Sequence, residues 1–336
     1  TLSAGLSRPF SGKLADKIGR IPVMIFGAGV CFVVGLSYPL LHFVSGFLFL
    51  RFAHGFSAGF TPTGTSAYVA DTVPFAQRGE AMGIQSLFGS LGMAAGPALG
   101  GWIASFWPIE TLFYAAAFTA IFSILILVRL KETLTQKEPF SLRLFKLDKN
   151  EILEKRVLLP ASILFLSVFS FGVVLTLIPD LSSFLGIKNK GLFFTVFTLS
   201  SLGIRLLAGR ASDRVGRVKV MRVASVVMVV AMIAVAFATS KTMLLGSAVL
   251  FGAAVGMYSP TTTAWVVDRS LENYRGRALA TMYIFLELGI GLGALVSSWL
   301  YNNKPENFQI AFLFSAGVAF LGFLLLMFIK SDQKSS

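Results

Sequence analysis

The sequence encodes an all-α membrane protein. Three observations carry that reading. First, 55% of the 336 residues are hydrophobic and only 13% are charged, with a mean hydropathy of +0.77. A soluble domain carries roughly 25% charged residues and could not hide this much apolar surface. Second, the apolar residues fall in runs of about 20, the length that crosses a bilayer as a helix. Third, the runs are far too long for the alternating strands of roughly 10 residues in a membrane barrel. A bilayer accepts only helices or closed barrels, so sheet content should be close to nil. A disulfide scaffold is excluded because Cys31 is the only cysteine.

The spans fall at 21–41, 45–70, 79–104, 109–128, 157–179, 190–208, 219–239, 243–267, 277–300 and 308–329, and residues 1–11 read as the end of another. The net charge of +13 is distributed by topology. Lys13, Lys17, Arg20, Arg78, the cations of 129–156, those of 210–222, Arg269, Arg275 and Arg277 all lie on one side. Only Lys188, Lys190, Lys241 and Lys304 lie on the other. The positive-inside rule makes the first set cytoplasmic and argues against nucleic acid as a partner. Trp102, Trp107 and Trp299 sit at outer span ends, where interfacial anchors belong.

The chain repeats itself with a shift of 197 residues and no gap. Gly12, Asp16, Gly19 and Arg20 fall on Gly209, Asp213, Gly216 and Arg217. Arg8 falls on Arg205, Asp71 on Asp268, Arg78-Gly79 on Arg275-Gly276 and Trp102 on Trp299. An even number of spans separates the copies, so both have the same orientation, the mark of a parallel internal repeat. The organisation expected is a helical bundle over 1–128, a charged cytoplasmic linker over 129–156 with an interfacial helix around 142–153, and a second bundle over 157–336. Span 157–179 has its repeat partner ahead of residue 1, which is Thr. The expectation is therefore that helix 1 and most of helix 2, about 45–60 residues, precede this sequence in a protein of two six-helix bundles.

Four groups of residues carry possible chemistry. The first is Gly12-x-x-x-Asp16-Lys17-x-Gly19-Arg20 and its copy Gly209-x-x-x-Asp213-Arg214-x-Gly216-Arg217. The glycines permit a tight turn and close helix approach. The aspartates can sit at the positive N-terminus of a helix in the other half. Arg20 and Lys17 can reach Asp71, and Arg217 can reach Asp268. The second is Gly83, Gly92, Gly96-Pro97 and Gly100-Gly101, a small-residue face for close helix packing that Pro97 would kink. The third is Arg51 and His54, one turn apart on one face. Arg51 either biases a neighbouring acid or snorkels outward, and His54 is either functional or a packing histidine. The fourth is Glu287, ten residues or about 15 Å past Arg277. Its repeat partner is Ser90, so the acid is not inherited from a shared motif. It is either a proton carrier or cation ligand, or a neutral acid bonded between helices. Tyr68, Gln85, Phe88, Tyr258 and Trp265 are weaker cavity-lining candidates. Asp180, after Pro179, reads as a cap or loop residue at the end of its span.

The first of these motifs resembles the signature loop of the major facilitator superfamily, and Gly209–Arg217 resembles its second copy. Lys17 stands where the family usually has Arg. The glycine run resembles the helix-5 pattern of the superfamily's antiporters, and the Arg51 segment resembles its helix-4 motif with His54 in place of Gln. The resemblance spans the chain and is nearest to the drug:proton antiporter branch. It implies a secondary transporter of the plasma membrane, without cofactor, metal or enzymatic activity. The expected activity is proton-coupled efflux of small, partly apolar molecules by rocker-switch alternating access, with a proton symporter as the alternative. The loops, together with Asp71, Arg78 and Asp268, are implied to latch the cytoplasmic side shut. A single copy in the bilayer is the expected working unit, with protons and a small molecule as its partners.

Overall fold

The computed structural model describes residues 2–41, 43–187 and 189–329. These residues form helices and connecting turns, and no strand occurs among them. The long helices are α1 (Leu2–Lys17), α2 (Arg20–Ser37), α3 (Val44–Thr72), α4 (Arg78–Phe106), α5 (Glu110–Leu127), α7 (Leu158–Phe184), α8 (Leu192–Val215), α9 (Arg217–Ala236), α10 (Lys241–Arg269), α11 (Arg275–Tyr301) and α12 (Phe308–Met327). The short helix α6 (Lys149–Ile152) lies in the linker. Among the described residues seven segments are long and apolar enough to cross a membrane, or eight if the two pieces of α8, bent by 41°, form one span. Helices α3 and α4 are 29 residues each, long enough to cross a bilayer. The chain is thus an all-α, multi-pass membrane protein.

Two turns set the geometry that matters for function. Helix α1 passes to α2 at Gly19 (φ +122°), and α8 passes to α9 at Gly216 (φ +97°). These glycines are repeat partners. A positive φ is strained for any residue with a Cβ, so glycine is what allows one helix to restart almost at once after another.

Contacts divide the chain into two compact units. One holds residues 1–73, 88–158 and 269–284; the other holds 74–87, 159–268 and 285–336. The first turns of α4 therefore belong with the second half of the sequence, and those of α11 with the first. In the first unit α3 packs on α1 and α2, and α2 packs on α5. One core cluster joins Leu14, Ala15, Val23 and Phe60 to Leu144 of the linker; another joins Val34, Tyr38 and Leu50. In the second unit a single large core gathers side chains of α7 to α10 and α12 around Phe251, Met221 and Phe312.

The structure corrects two expectations here. The linker has no continuous helix over 142–153. A 3-10 turn at Leu142–Phe145 and helix α6 are separated by extended backbone, because Asp148 starts α6 as an N-cap with Glu151 closing a capping box. Among the described residues of this stretch Leu144 alone is buried, which ties it to α1. Helix α7 also does not end at Pro179-Asp180. It continues to Phe184, and Asp180 is an exposed residue within it.

Candidate functional site: two carboxylate latches

Asp16 is 7% exposed at the end of α1. Its Oδ1 accepts a hydrogen bond from the amide of Gly276 at 2.6 Å, and its Oδ2 accepts from the amide of Arg277 at 2.8 Å. These amides open α11, where the first N–H groups have no partner within the helix. A carboxylate there meets both the free donors and the positive end of the dipole. Arg20 donates to Asp16 at 2.8 Å through Nη1 and to Asp71 at 3.1 Å through Nε. Arg275 also pairs with Asp71.

The second unit repeats the pattern residue for residue at the 197-residue shift. Asp213 accepts from the amides of Gly79 and Glu80, both at 2.9 Å, which open α4. Arg217 pairs with Asp213 and donates to Asp268 at 2.9 Å. Arg78 pairs with Asp268 at 3.1 Å. Glycine is needed where these helices meet. A Cβ on Gly276 would lie 2.6 Å from the carbonyl oxygen of Gly12, and one on Gly209 would lie 2.4 Å from that of Gly79. Buried acids and bases paired this closely satisfy one another, and removing one partner strands the rest.

The remaining candidate residues fall elsewhere. Lys17 does not join Asp71; its Nζ pairs with Glu138 of the linker at 2.6 Å. That pairing through the Glu138 carboxylate holds the ammonium above its usual pKa. Arg214 is exposed and makes no ion pair among the described residues. His54 contacts the Tyr38 hydroxyl at 3.3 Å and the Cys31 sulfur at 3.7 Å, within the first unit, while Arg51 is exposed. Tyr258 and Trp265 lie inside the second unit's core, and Tyr258 bonds Ser225. Tyr68 and Gln85 are half-buried and Phe88 is exposed. Glu287 is half-buried on α11.

The glycine run behaves unevenly. Gly83 packs against the backbone of Arg205, but a Cβ on Gly92 or Gly96 would meet open space, and one on Gly100 only ordinary contact. Among the described residues, the close helix approach expected along this face is not made at those three positions. Their counterparts Gly289 and Gly293 do pack tightly, against Phe165 and Phe169 of α7. No helix of residues 1–128 aligns with α7 in the repeat. Pro97 and Gly101, and with them the expected kink, lie outside the residues whose side chains are described.

Sequence reasoning missed the linker's part in the first latch. Glu132 accepts from the amides of Arg20 and Ile21, both at 3.0 Å, and so caps α2. Thr133 donates to Asp71 at 2.8 Å. Glu154, 4% exposed, accepts from Arg277 at 2.9 Å. The linker lies outside the repeat, so no register marked these residues.

Each unit thus seats one carboxylate on the opening amides of a long helix. The Major Facilitator Superfamily model matches residues 1–188 and 161–336, and the chain belongs to that family. It is 28% identical over 327 residues to the multidrug resistance protein MdtG of Klebsiella pneumoniae, covering 94% of this chain and 78% of that protein. It is 30% identical over 312 residues to the multi-drug resistance efflux pump PmrA of Streptococcus pneumoniae, covering 88% and 76%. Among solved structures, the human organic anion transporter MFSD10 superposes with a TM-score of 0.84 at 22% identity, covering 96% of this chain and 81% of that one. The proton:xylose symporter XylE superposes with a TM-score of 0.80 at 16% identity, covering 99% and 86%. The family and the folds are those of transporters, and the chain is a secondary transporter of small molecules, not an enzyme.

Proposed function

We propose that the protein exports small, partly apolar molecules in exchange for protons, by rocking two bundles, 1–128 and 157–336, about a central cavity. The observation that carries the closing step is the pair of latches. Each carboxylate holds a helix N-terminus through two amides, and such bonds can be broken and remade without covalent cost. In this reading both latches, the linker and the C-terminus face the cytoplasm, the protein works as a monomer in the plasma membrane, and latch release opens the cavity inward. The similarity to multidrug resistance proteins and the Gly83–Gly101 pattern support export over import.

Glu287 is the proposed proton carrier. It lies 12 residues past Arg275, about 18 Å along α11. An acid at that depth is expensive unless it does a job. The Arg51–His54 face is the reserve candidate, with Tyr68, Gln85 and Phe88 near the path of the substrate.

The test is drug accumulation in inverted membrane vesicles with and without an imposed pH gradient. The gradient should drive uphill uptake in the wild type. Glu287→Gln keeps the size and hydrogen bonding of the acid but fixes it neutral. It should abolish that uphill transport while gradient-free exchange survives. Uphill transport at the wild-type rate and pH dependence in Glu287→Gln would remove Glu287 from the coupling step.

A further inference from the structure

Among the described residues Arg205 is a charge without an acid. It lies on α8 with 13 residues before it and ten after, so it is about 15 to 20 Å from either end of the helix. Its residue is 9% exposed. Nη1 donates to the hydroxyls of Ser86 at 2.6 Å and Ser259 at 3.0 Å. Among the described residues it forms no ion pair, and its buried Nε has no hydrogen-bond partner. Two neutral hydroxyls do not balance a guanidinium in a medium that cannot solvate it.

The repeat supplies a control. Arg8, the partner position, is 4% exposed and bonds the carbonyl of Gly59 and the hydroxyl of Thr63, both at 3.1 Å. Its guanidinium also lies 4.2 Å over the ring of Tyr283, where the aromatic face offsets the charge. Tyr283 is the repeat partner of Ser86. One arginine is cushioned by a ring at the position where the other has a small hydroxyl.

What covers Arg205 is the start of α4. Gly79 and Glu80 are held by Asp213, and Gly83 packs with its Cβ position 3.0 Å from the carbonyl of Arg205. Ser86 is the next turn of the same helix. Loss of the Asp213 contacts would withdraw Ser86 and leave the guanidinium with one hydroxyl and a free donor fork. A planar carboxylate matches that fork, and Arg binds such groups through two parallel hydrogen bonds.

We infer that Arg205 docks the carboxylate of an organic anion, with Ser259 beside it, and that release of the Asp213 latch uncovers it. The inference rests on the latch reading above for its timing, not for the site itself. The test uses the protein in lipid nanodiscs with two probes of one shape, 2-naphthoate and its neutral amide 2-naphthamide, measured by equilibrium dialysis. Asp213→Asn should bind the carboxylate at least about tenfold tighter than the amide, the scale of a charge-assisted bidentate contact. Adding Arg205→Gln should bring the ratio to about one, Arg205→Lys should keep part of it, and Ser259→Ala, which leaves the cation in place, should lower it by about half or more.

A carboxylate preference absent from both wild type and Asp213→Asn overturns the inference. So does a preference that Arg205→Gln leaves intact. Alkylation of Ser86→Cys follows the latch separately. If it does not rise with Asp213→Asn while the Arg205-dependent preference is present, the latch reading fails and the anion site stands.

Discussion

The two latches share their carboxylates, their arginines and their capped helices, yet differ in what lies over them. In the first, the linker adds Glu132 on the opening amides of α2, Thr133 on Asp71, Glu138 on Lys17 and Glu154 on Arg277. In the second, Asp213, Arg217 and Asp268 pair with residues of the repeat within that unit. In the proposed reading the repeated residues make the latch, and the unrepeated linker adds contacts to the first copy. Arg20 is 1% exposed, whereas the side chain of Arg217 is 9% exposed. An asymmetric pair of this kind should release in order, the second latch first.

The largest test of that difference removes the central cation. Arg20→Ala takes one cation from Asp16 and Asp71, leaving Asp71 with Arg275, and Arg217→Ala takes one from Asp213 and Asp268, leaving Asp268 with Arg78. Breaking a buried pair in this way costs about 3 to 5 kcal/mol. Thermal unfolding in detergent should show both variants destabilised, Arg20→Ala more so. Equal losses would mean that the linker adds nothing.

A smaller effect is expected from Glu132→Ala. Loss of a helix cap costs about 1 kcal/mol. Hydrogen exchange in the first turn of α2 should rise several-fold, consistent with that loss. The first turn of α9 should not change. A matching rise in α9 would show that the cap is not local to the first latch.

The smallest effect concerns the Lys13–Glu151 pair, 2.7 Å apart. Burial pushes the Glu151 carboxyl up, but the Lys13 ammonium and the Asp148 amide outweigh it and hold the group below its usual value of 4.5. A depressed pKa gives stability that is present above the unfolded value and lost as pH falls through the folded one. A partly exposed pair contributes less than about 1 kcal/mol. Exchange protection of residues 146–152, corrected for intrinsic rates, should therefore stay level above pH 4.5 and decline in more acid solution. Protection that is flat to lower pH would place the linker's hold elsewhere.

Much of this was legible in the sequence, for identifiable reasons. Long apolar runs leave no choice but helices in a bilayer, and each expected span is matched by a long helix. The register of Asp16 with Asp213 and of Gly19 with Gly216 pointed to the loops that seat Asp16 on α11 and Asp213 on α4. What was not legible depended on partners without a pattern. Lys17 has two acids within reach, and only the fold decides for Glu138. A proline need not end a membrane helix, so α7 runs on past Pro179. The open surface at Gly92 and Gly96 could not be read from spacing, because a small residue marks where a helix can approach, not that one does. Serine carries no signal for an arginine partner, which is why Ser86 and Ser259 escaped notice.

The most direct test of the central claim measures thiol labelling at the two latches. In a Cys31→Ser background, buried Ala15 and Ala208 are each replaced by cysteine and exposed to a membrane-impermeant maleimide. If Asp16 and Asp213 hold the helix ends shut, Asp16→Asn should raise labelling at position 15 and Asp213→Asn at position 208. The second site should respond more strongly, because the first is also held by Glu132, Thr133 and Glu154. Unchanged labelling at both sites, with transport also unchanged, would contradict the account.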